Sequence, residues 1–468
     1  MATLNTAWSI MQSALQANQL AINVSANNVA NANTPGYTVR TVDWQEAGFF
    51  TPTAGPGGVR VAGTPSQRDR VLNGRIDLAT QDNAASQARL SALNNVQAGF
   101  AASLNVSTAG GGTTDIGQQL SSFFNSLSQL AASPTNSSLR SGVLAAAAGI
   151  AADFNSAAQS LAAQQASLSA SAVNVAGAVN SLTKNIAKIN GQIASLTPGA
   201  DAGSLEDQRQ QDLLNLSQLV GNRQITTEGN GITVTTSGGA VLIDGSKSTD
   251  LTVANSPAGA GFLVGQTDVT QQLAVGGGQI GGMLAARDTD IPSVLGQLDI
   301  LAHSVGTAIN AAQVAGTDAK GNPGTPMFTF PGGTNGSAAG IALNLSDPSQ
   351  IAAGASGTGT GDGSNASAMA DVQDQAIVNG AKPTDFYASM VAAVGNLVSG
   401  VTTDQASQQA SLTQLQTQQS ALSSVNMDEE AAHLQSYEQA YQAASKVFSI
   451  LNTVMASAIN LGTETTVA

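Results

Sequence analysis

Apolar residues along this chain keep two different rhythms. Near the N-terminus Trp8, Leu15, Ile22 and Val29 recur every seven residues, with Leu4, Met11, Asn18 and Ser25 as a companion series four positions earlier. That 4-3 spacing predicts one helix over residues 3–31 whose apolar stripe is as narrow as a coiled-coil seam. Its other face carries Gln, Asn, Ser and Thr without a single charge. Solvated helix faces usually hold Lys and Glu, so this face is expected to touch more protein. The far end mirrors it. Within 427–461, Met427, Leu434, Tyr441, Phe448 and Met455 repeat every seven residues, and Tyr437, Ala444, Leu451 and Ala458 fill the second seam series. Asp428, Glu429 and Glu430 stand in the first turn, where the helix dipole favours negative charge. Two seams at opposite ends of one chain predict that the termini pair.

The middle is mostly helical by pattern over 66–105 and 115–220, punctuated by Pro134 and Pro198-Gly199. From 223 to 254 the rhythm changes to alternation of Thr and β-branched residues, with Asn230-Gly231, Gly238-Gly239 and Asp244-Gly245 as turns, which predicts a β-meander. Met283–Val314 reads as continuous helix, 317–365 as loop-rich, 354–365 as flexible by composition, and 366–424 as helix again. The expected fold is mainly α with an inserted antiparallel β module. The terminal helices (1–36 plus 426–468) form an inner coiled coil, and 37–222, 283–316 and 366–425 form a long-helix bundle. The β module spans 223–282.

The stretch NNVANANTPGYTVR, residues 27–40, ends the first helix. Proline disfavours helix at the residue before it and glycine permits a sharp turn. Asparagine side chains near a helix end can bond to backbone groups that lose their helical partners. Asn27, Asn28, Asn31, Asn33, Pro35, Gly36 and Tyr37 therefore read as a joint between the terminal helix and the helical bundle.

Composition narrows the function. Aromatic residues make up 4% and charged residues 10% of 468 positions, too few bulky side chains for one deep core and suited to long helices closing on small residues. A net charge of −14 argues against nucleic acid or an anionic membrane as partner. With no cysteine, disulfides, thiolate metal sites and cysteine nucleophiles are all excluded. The first charged side chain is Arg40, so the basic flank of a secretory signal is missing. The Ala-rich run Val143–Ala152 is too short to span a bilayer, and no membrane insertion is expected.

Candidate chemistry is thin. Gly276-x-Gly278-x-x-Gly281 fits a dinucleotide fingerprint, but no second strand of a βαβ unit comes after it, so no cofactor is expected. Glu430-x-x-His433 is half of a di-iron bundle motif whose other half is missing, since His303 has Ile300 at that spacing. The Gly-Asp segment at 358–365 is a single copy of what would have to be a calcium-binding repeat. Neither a metal nor a catalytic set of residues is expected, and no enzyme activity.

Residues 13–37, SALQANQLAINVSANNVANANTPGY, ahead of Arg40, resemble the N-terminal signature of the flagellar axial proteins, the rod, hook and hook-associated proteins. Residues 425–461 resemble their C-terminal signature. LEDQRQQDLLNLSQLVG (205–221), GGQIGGMLAARDTDI (277–291) and the Asp-Glu-Glu-Ala at 428–431 resemble the hook-associated members more than hook or rod subunits. Val39 and His433 depart from residues common in the family. The resemblance implies a structural subunit outside the cell, exported unfolded without a cleavable signal peptide, at the hook–filament junction. Its implied partners are further copies in a ring, the hook protein, the filament-side junction protein, and an export chaperone on the C-terminal helix. Another axial subunit (hook or distal rod), or an exported enzyme housed in the β module, remain the alternatives.

Assembly would use the seams: Leu4, Trp8, Met11, Leu15, Ile22 and Val29 on one helix, Met427, Leu434, Tyr437, Tyr441, Phe448, Leu451 and Met455 on the other. Burying a large seam residue contributes roughly 1.5–3 kcal/mol, while ordering each backbone residue costs about 1–2 kcal/mol. With one large apolar residue in about every three or four, the isolated ends are expected to be unfolded until assembly orders them.

Overall fold

A computed structural model describes residues 2–34, 36–47, 57–102, 115–196, 202–226, 232–256 and 259–464. Pro35, Pro198-Gly199 and Asn230-Gly231 lie outside these residues. Helix α1 (Ala2–Ala30) is followed by the hairpin β1 (Asp43–Ala47) and β2 (Gly58–Gly63), which pair antiparallel. The hairpin lies on α1 closely enough that a Cβ at Gly58, whose φ is +150°, would come within 2.6 Å of the Ser13 hydroxyl.

The body is built from α2 (Arg70–Ala102), α3 (Ile116–Ala132), α4 (Ser137–Ala194) and α5 (Gly203–Leu219). The predicted start of α2 near 66 moves to Arg70, because the Asp69 carboxylate accepts the orphan N–H groups of Val71 and Leu72 and so caps the helix there. After the Pro134 break, Asn136 caps α4 in the same way, accepting from Ser138 and Leu139. Helix α4 has 58 residues and at 1.5 Å per residue runs roughly 87 Å. Its buried positions, among them Val143, Ala147, Ile150, Phe154, Leu161, Leu168, Ala172, Ala176, Val179 and Ile186, stay on one stripe. Small residues let neighbours approach this spine closely, as the composition requires.

The first half of α4 packs into one apolar core with Phe123, Phe124 and Leu127 of α3. The second half enters another with Leu213 and Leu216 of α5 and the β module. That module is two sheets rather than one meander. Strands β3 (Asn222–Thr226), β4 (Ile232–Thr236), β5 (Val241–Asp244) and β6 (Lys247–Ser248) form one antiparallel sheet; β7 (Leu251–Ser256), β8 (Gly259–Val264) and β9 (Thr267–Asp268) form the other. Strand pairing breaks between Ser248 and Leu251, where Asn180 of α4 bonds both the N–H (2.7 Å) and the carbonyl (3.0 Å) of Leu251.

Helices α6 (Thr270–Gly276) and α7 (Gly278–Ala285) lead back to the body, and helix begins at 278, earlier than the predicted 283. A π-helical turn at 286–290 then interrupts the expected continuous helix before α8 (Ile291–Ala315). Arg287 in this turn is buried, donating to the Ala260 carbonyl at 2.7 Å and pairing with Asp288, while Asp290 takes both arms of Arg89 at 2.8 Å. The widened turn thereby ties the β module to α2 and α8.

The 317–365 segment is not loose. It contains β10 (Gly316–Thr317), β11 (Phe328–Thr329), α9 (Ser337–Gly340), β12 (Ala342–Leu343) and β13 (Gly354–Ala355), two-residue strands pairing as β10–β13 and β11–β12. Residues 354–365, expected to be flexible, close around the Asp362 carboxylate. It accepts from the Ala355 N–H (2.8 Å), the Ser364 hydroxyl (2.7 Å) and the Thr358 hydroxyl (2.8 Å), which hold this acid well below the usual carboxylate range. Helix α10 (Ser364–Ala370), then α11 (Pro383–Ser423) and α12 (Met427–Glu464) complete the chain. α11 pairs with α2, and α12 returns along α1.

Candidate assembly interface

Helices α1 and α12 run antiparallel. At one end the Trp8 indole N–H donates to Asn452 at 3.0 Å and its ring lies 5.5 Å from that of Phe448; at the other, Asn28 donates to Glu430 at 2.8 Å. On α12 the residues turned inward are Leu434, Tyr437, Tyr441, Ala444, Phe448, Leu451 and Met455, all half-buried, with Glu430 buried above them. Met427 does not join this row; it is 51% exposed, because Glu430 occupies the seam position one turn on and points at Asn28. Trp44 of the hairpin and His433 both lie against the Tyr437 ring, at 6.1 and 5.9 Å, and burial, then the Glu430 charge, raise the Tyr437 phenol.

On α1 the buried residues are Ala17, Ala21, Val24, Ser25 and Asn28; Ser25 belongs to the predicted seam, while the other four keep the 4-3 interval about a third of a turn away from the large-residue stripe. Leu4, Trp8, Met11, Leu15, Ile22 and Val29 are only half-buried. The small residues are the covered ones, and the larger ones stay partly uncovered. Ser25 apart, the buried small residues lie off the predicted heptad stripe.

The joint is organised by Asn28. Its amide donates to the Arg40 carbonyl (2.9 Å) and to Glu430, while its oxygen accepts the Arg40 N–H (3.1 Å) and the Tyr37 hydroxyl (2.7 Å). All four bonds open to an asparagine side chain are thus made, and they tie α1, the 37–40 segment and α12 together. Asn27 and Asn31 reach back instead to the carbonyls of Asn23 (3.1 Å) and Asn27 (3.0 Å), and Asn31 accepts from Thr34 at 3.2 Å. Asn33 is exposed. Gly36 takes φ +80°, a left-handed turn, and a Cβ there would stand 3.0 Å from the Gln211 side chain.

Beyond Gly36 lies a network that no spacing pattern announces. Asp207, near the start of α5, accepts from Arg68 and Thr38 and stands 3.7 Å from Arg40, whose guanidinium also lies 5.5 Å from the Tyr37 ring centre. Glu206 pairs with Arg68 at 3.4 Å. Backbone bonds from Val39 to Ser423 (3.0 Å) and from Gln67 to Val39 (2.9 Å) bring the end of α11 into the same place. These acids and arginines come from segments about 140–170 positions apart in sequence; the sequence marked the 27–40 and 205–221 stretches but not that they meet.

The residues that resemble chemical motifs have structural duties here. Glu430 is committed to Asn28, and His303 sits 3.2 Å from the Ser337 hydroxyl with its ring edge-on to Phe330. Among the described residues no cluster of three or more His, Asp or Glu could hold a metal. The glycine triplet lies where α7 starts against the end of α5: Gly278 has φ +72°, and a Cβ on it would meet the Val220 backbone at 2.6 Å.

Residues 101–328 match the family described as the helical domain of the flagellar hook-associated protein FlgK, and residues 10–38 match the flagella basal body rod protein family. Flagellar hook-associated protein 1 of Escherichia coli (strain K12) is 25% identical, covering 96% of this chain and 98% of that one. The protein of the same name from Bacillus subtilis (strain 168) is 27% identical, with 96% of each covered. The flagellar hook junction protein FlgK of Burkholderia pseudomallei superposes with a TM-score of 0.66 at 18% identity, over 74% of this chain and all of the other; it shares the fold. Paired terminal helices, a hydrogen-bonded joint and a helical spine carrying a β module define an axial structural protein. Over nearly its whole length the chain is similar to flagellar hook-associated protein 1.

Proposed function

We propose that copies of this chain form a ring between hook and filament, held by the paired terminal helices. The chain is a structural, hook-associated subunit of the bacterial flagellum, and its relatives carry that same name. One observation carries the assembly reading. None of the three apolar cores found among the described residues includes a residue of α1 or α12. The pair is a single layer that leaves Val447, Ile450 (62% exposed) and Val454 bare on one face of α12 and half-covers Leu15, Ile22 and Val29 on α1. A stripe of this kind is covered when further copies pack beside it.

On this reading residues 1–36 and 426–468 are the inner unit, the bundle and β module lie further out, and Asn28 with the Asp207 network fixes the angle between them. The hook protein abuts one side of the ring and hook-associated protein 3, on the filament side, the other. The chain travels unfolded through the flagellar export channel, with an export chaperone on its C-terminal helix beforehand. Electron microscopy of a deletion strain tests the placement. Hooks without filaments are expected; absent hooks would mark a hook subunit, and normal filaments would refute the role.

A further inference from the structure

Between α2, α5 and β3 of this acidic molecule lies an open cavity of about 490 Å³. Five of the chain's 16 basic residues line it, Arg68, Arg70, Arg75, Arg209 and Arg223, against two acids, Asp77 and Glu206. Arg209 is buried at the floor. Its burial, and next to it the charges of Arg68 and Arg70, hold its guanidinium below the usual arginine range, while Glu206 acts in the opposite sense. Arg70, Arg75 and Arg223 stand exposed on the rim. Between them α2 presents two bare apolar side chains, Val71 (69% exposed) and Leu78 (51% exposed), seven residues apart on one face, with Gly74 leaving an open notch.

Guanidiniums around an apolar strip recognise an acidic segment that also carries apolar side chains; a free anion would leave Val71 and Leu78 without a role. The chain itself presents the complement. Where α11 hands over to α12, Leu422 (56% exposed) and Met427 project beside the exposed carboxylates of Asp428 and Glu429. Gln419 of α11 donates to Asn73 of α2 at 2.7 Å, so the two patches stand at one level of the α2–α11 pair. A closed ring needs this arrangement: two different, complementary surfaces on every copy, meeting head to tail.

We propose that the arginine-rimmed groove on α2 receives the α11–α12 corner of a second copy, with Met427 against Val71 and Leu78 and with Asp428 and Glu429 facing Arg70, Arg75 and Arg223. This rests on the ring reading and names its lateral contact. The absence of cysteine in the natural sequence makes the test clean. Val71→Cys and Met427→Cys chains, expressed together in a strain lacking the natural copy, are oxidised with copper phenanthroline on intact, detached flagella and separated without reductant.

A dimer band is expected only when both variants are present, and a ladder from the doubly substituted chain. Arg75→Glu or Glu429→Arg alone is expected to weaken the band several-fold, and the two together to restore it. Chains that incorporate and support motility yet give no mixed dimer, or a Val71→Cys chain that cross-links as readily on its own, would overturn the contact while leaving the ring intact. If the chain is absent from detached flagella, the ring reading itself falls.

Discussion

Asp207→Asn tests the joint with the least change of shape. The carboxylate of Asp207 faces Arg68 directly and Arg40 at 3.7 Å, with side chains only 11–14% exposed. Hydrogen bonds to charged groups contribute about 1.5–3 kcal/mol each, and removing one partner of a buried ion pair costs about 3–5 kcal/mol. Glu206 remains within 3.4 Å of Arg68 and takes over part of the charge, and the amide oxygen can still accept from Thr38. The loss should therefore fall near the lower bound, about 2–3 kcal/mol. Denaturant unfolding of Asp207→Asn, Arg68→Met and the double variant gives the coupling directly. Hydrogen exchange should report faster opening of residues 37–41 and 66–69 in the single variants, with the double variant little worse than either. A coupling within about 0.5 kcal/mol of zero would mean the two act independently, and would refute the claim that this network fixes the joint.

Leu15→Asp or Leu451→Asp should abolish incorporation into flagella while the body unfolds at an unchanged denaturant midpoint; motile cells with normal junctions would contradict the seam. Asp77 is buried, and burial pushes its carboxyl up to about 6 against the opposing hydrogen bonds from Gln210 and Gln224. The folded chain thus keeps this proton where the unfolded chain has lost it, so Asp77 costs stability increasingly as pH rises from about 4 to 6, up to about 3 kcal/mol. Asp77→Asn should remove that slope and raise stability at pH 7, as read from urea midpoints across the range. Gly282→Ala would place a Cβ 2.0 Å from the Ala85 carbonyl oxygen, whereas Gly296 has open space around it. Calorimetry should find the first destabilised by about 1–3 kcal/mol or more and Gly296→Ala neutral or stabilised by up to about 1 kcal/mol.

Much of the architecture could be read from spacing. The α12 seam from Leu434 to Met455 and the helical stop around Thr34 follow from heptads and from a Pro-Gly pair, both local signals. What escaped was long-range. Ala17 and Ala21 are buried because a partner comes close, and nothing in an alanine distinguishes a crowded face from an open one. Ser248–Leu251 breaks the sheet because Asn180, some 70 residues earlier, takes the backbone bonds of Leu251. A glycine-rich run at 354–365 looks unstructured until one carboxylate, Asp362, is seen to gather its N–H and O–H groups. The joint divides the same way: Asn28 lies in a legible motif, while Asp207 needs Arg68 brought to it by the fold.

The claim under all of this is that α1 and α12 have no core of their own and are ordered by packing beside other copies. Hydrogen exchange on the purified, lone chain and on the same chain in detached flagella compares the two states residue by residue. Amides of 2–30 and 427–464 should exchange at nearly open-chain rates in the lone chain, with α3 and α4 protected, and become protected in the flagellum. Protection of both terminal helices in the lone chain equal to that of α3 would contradict it.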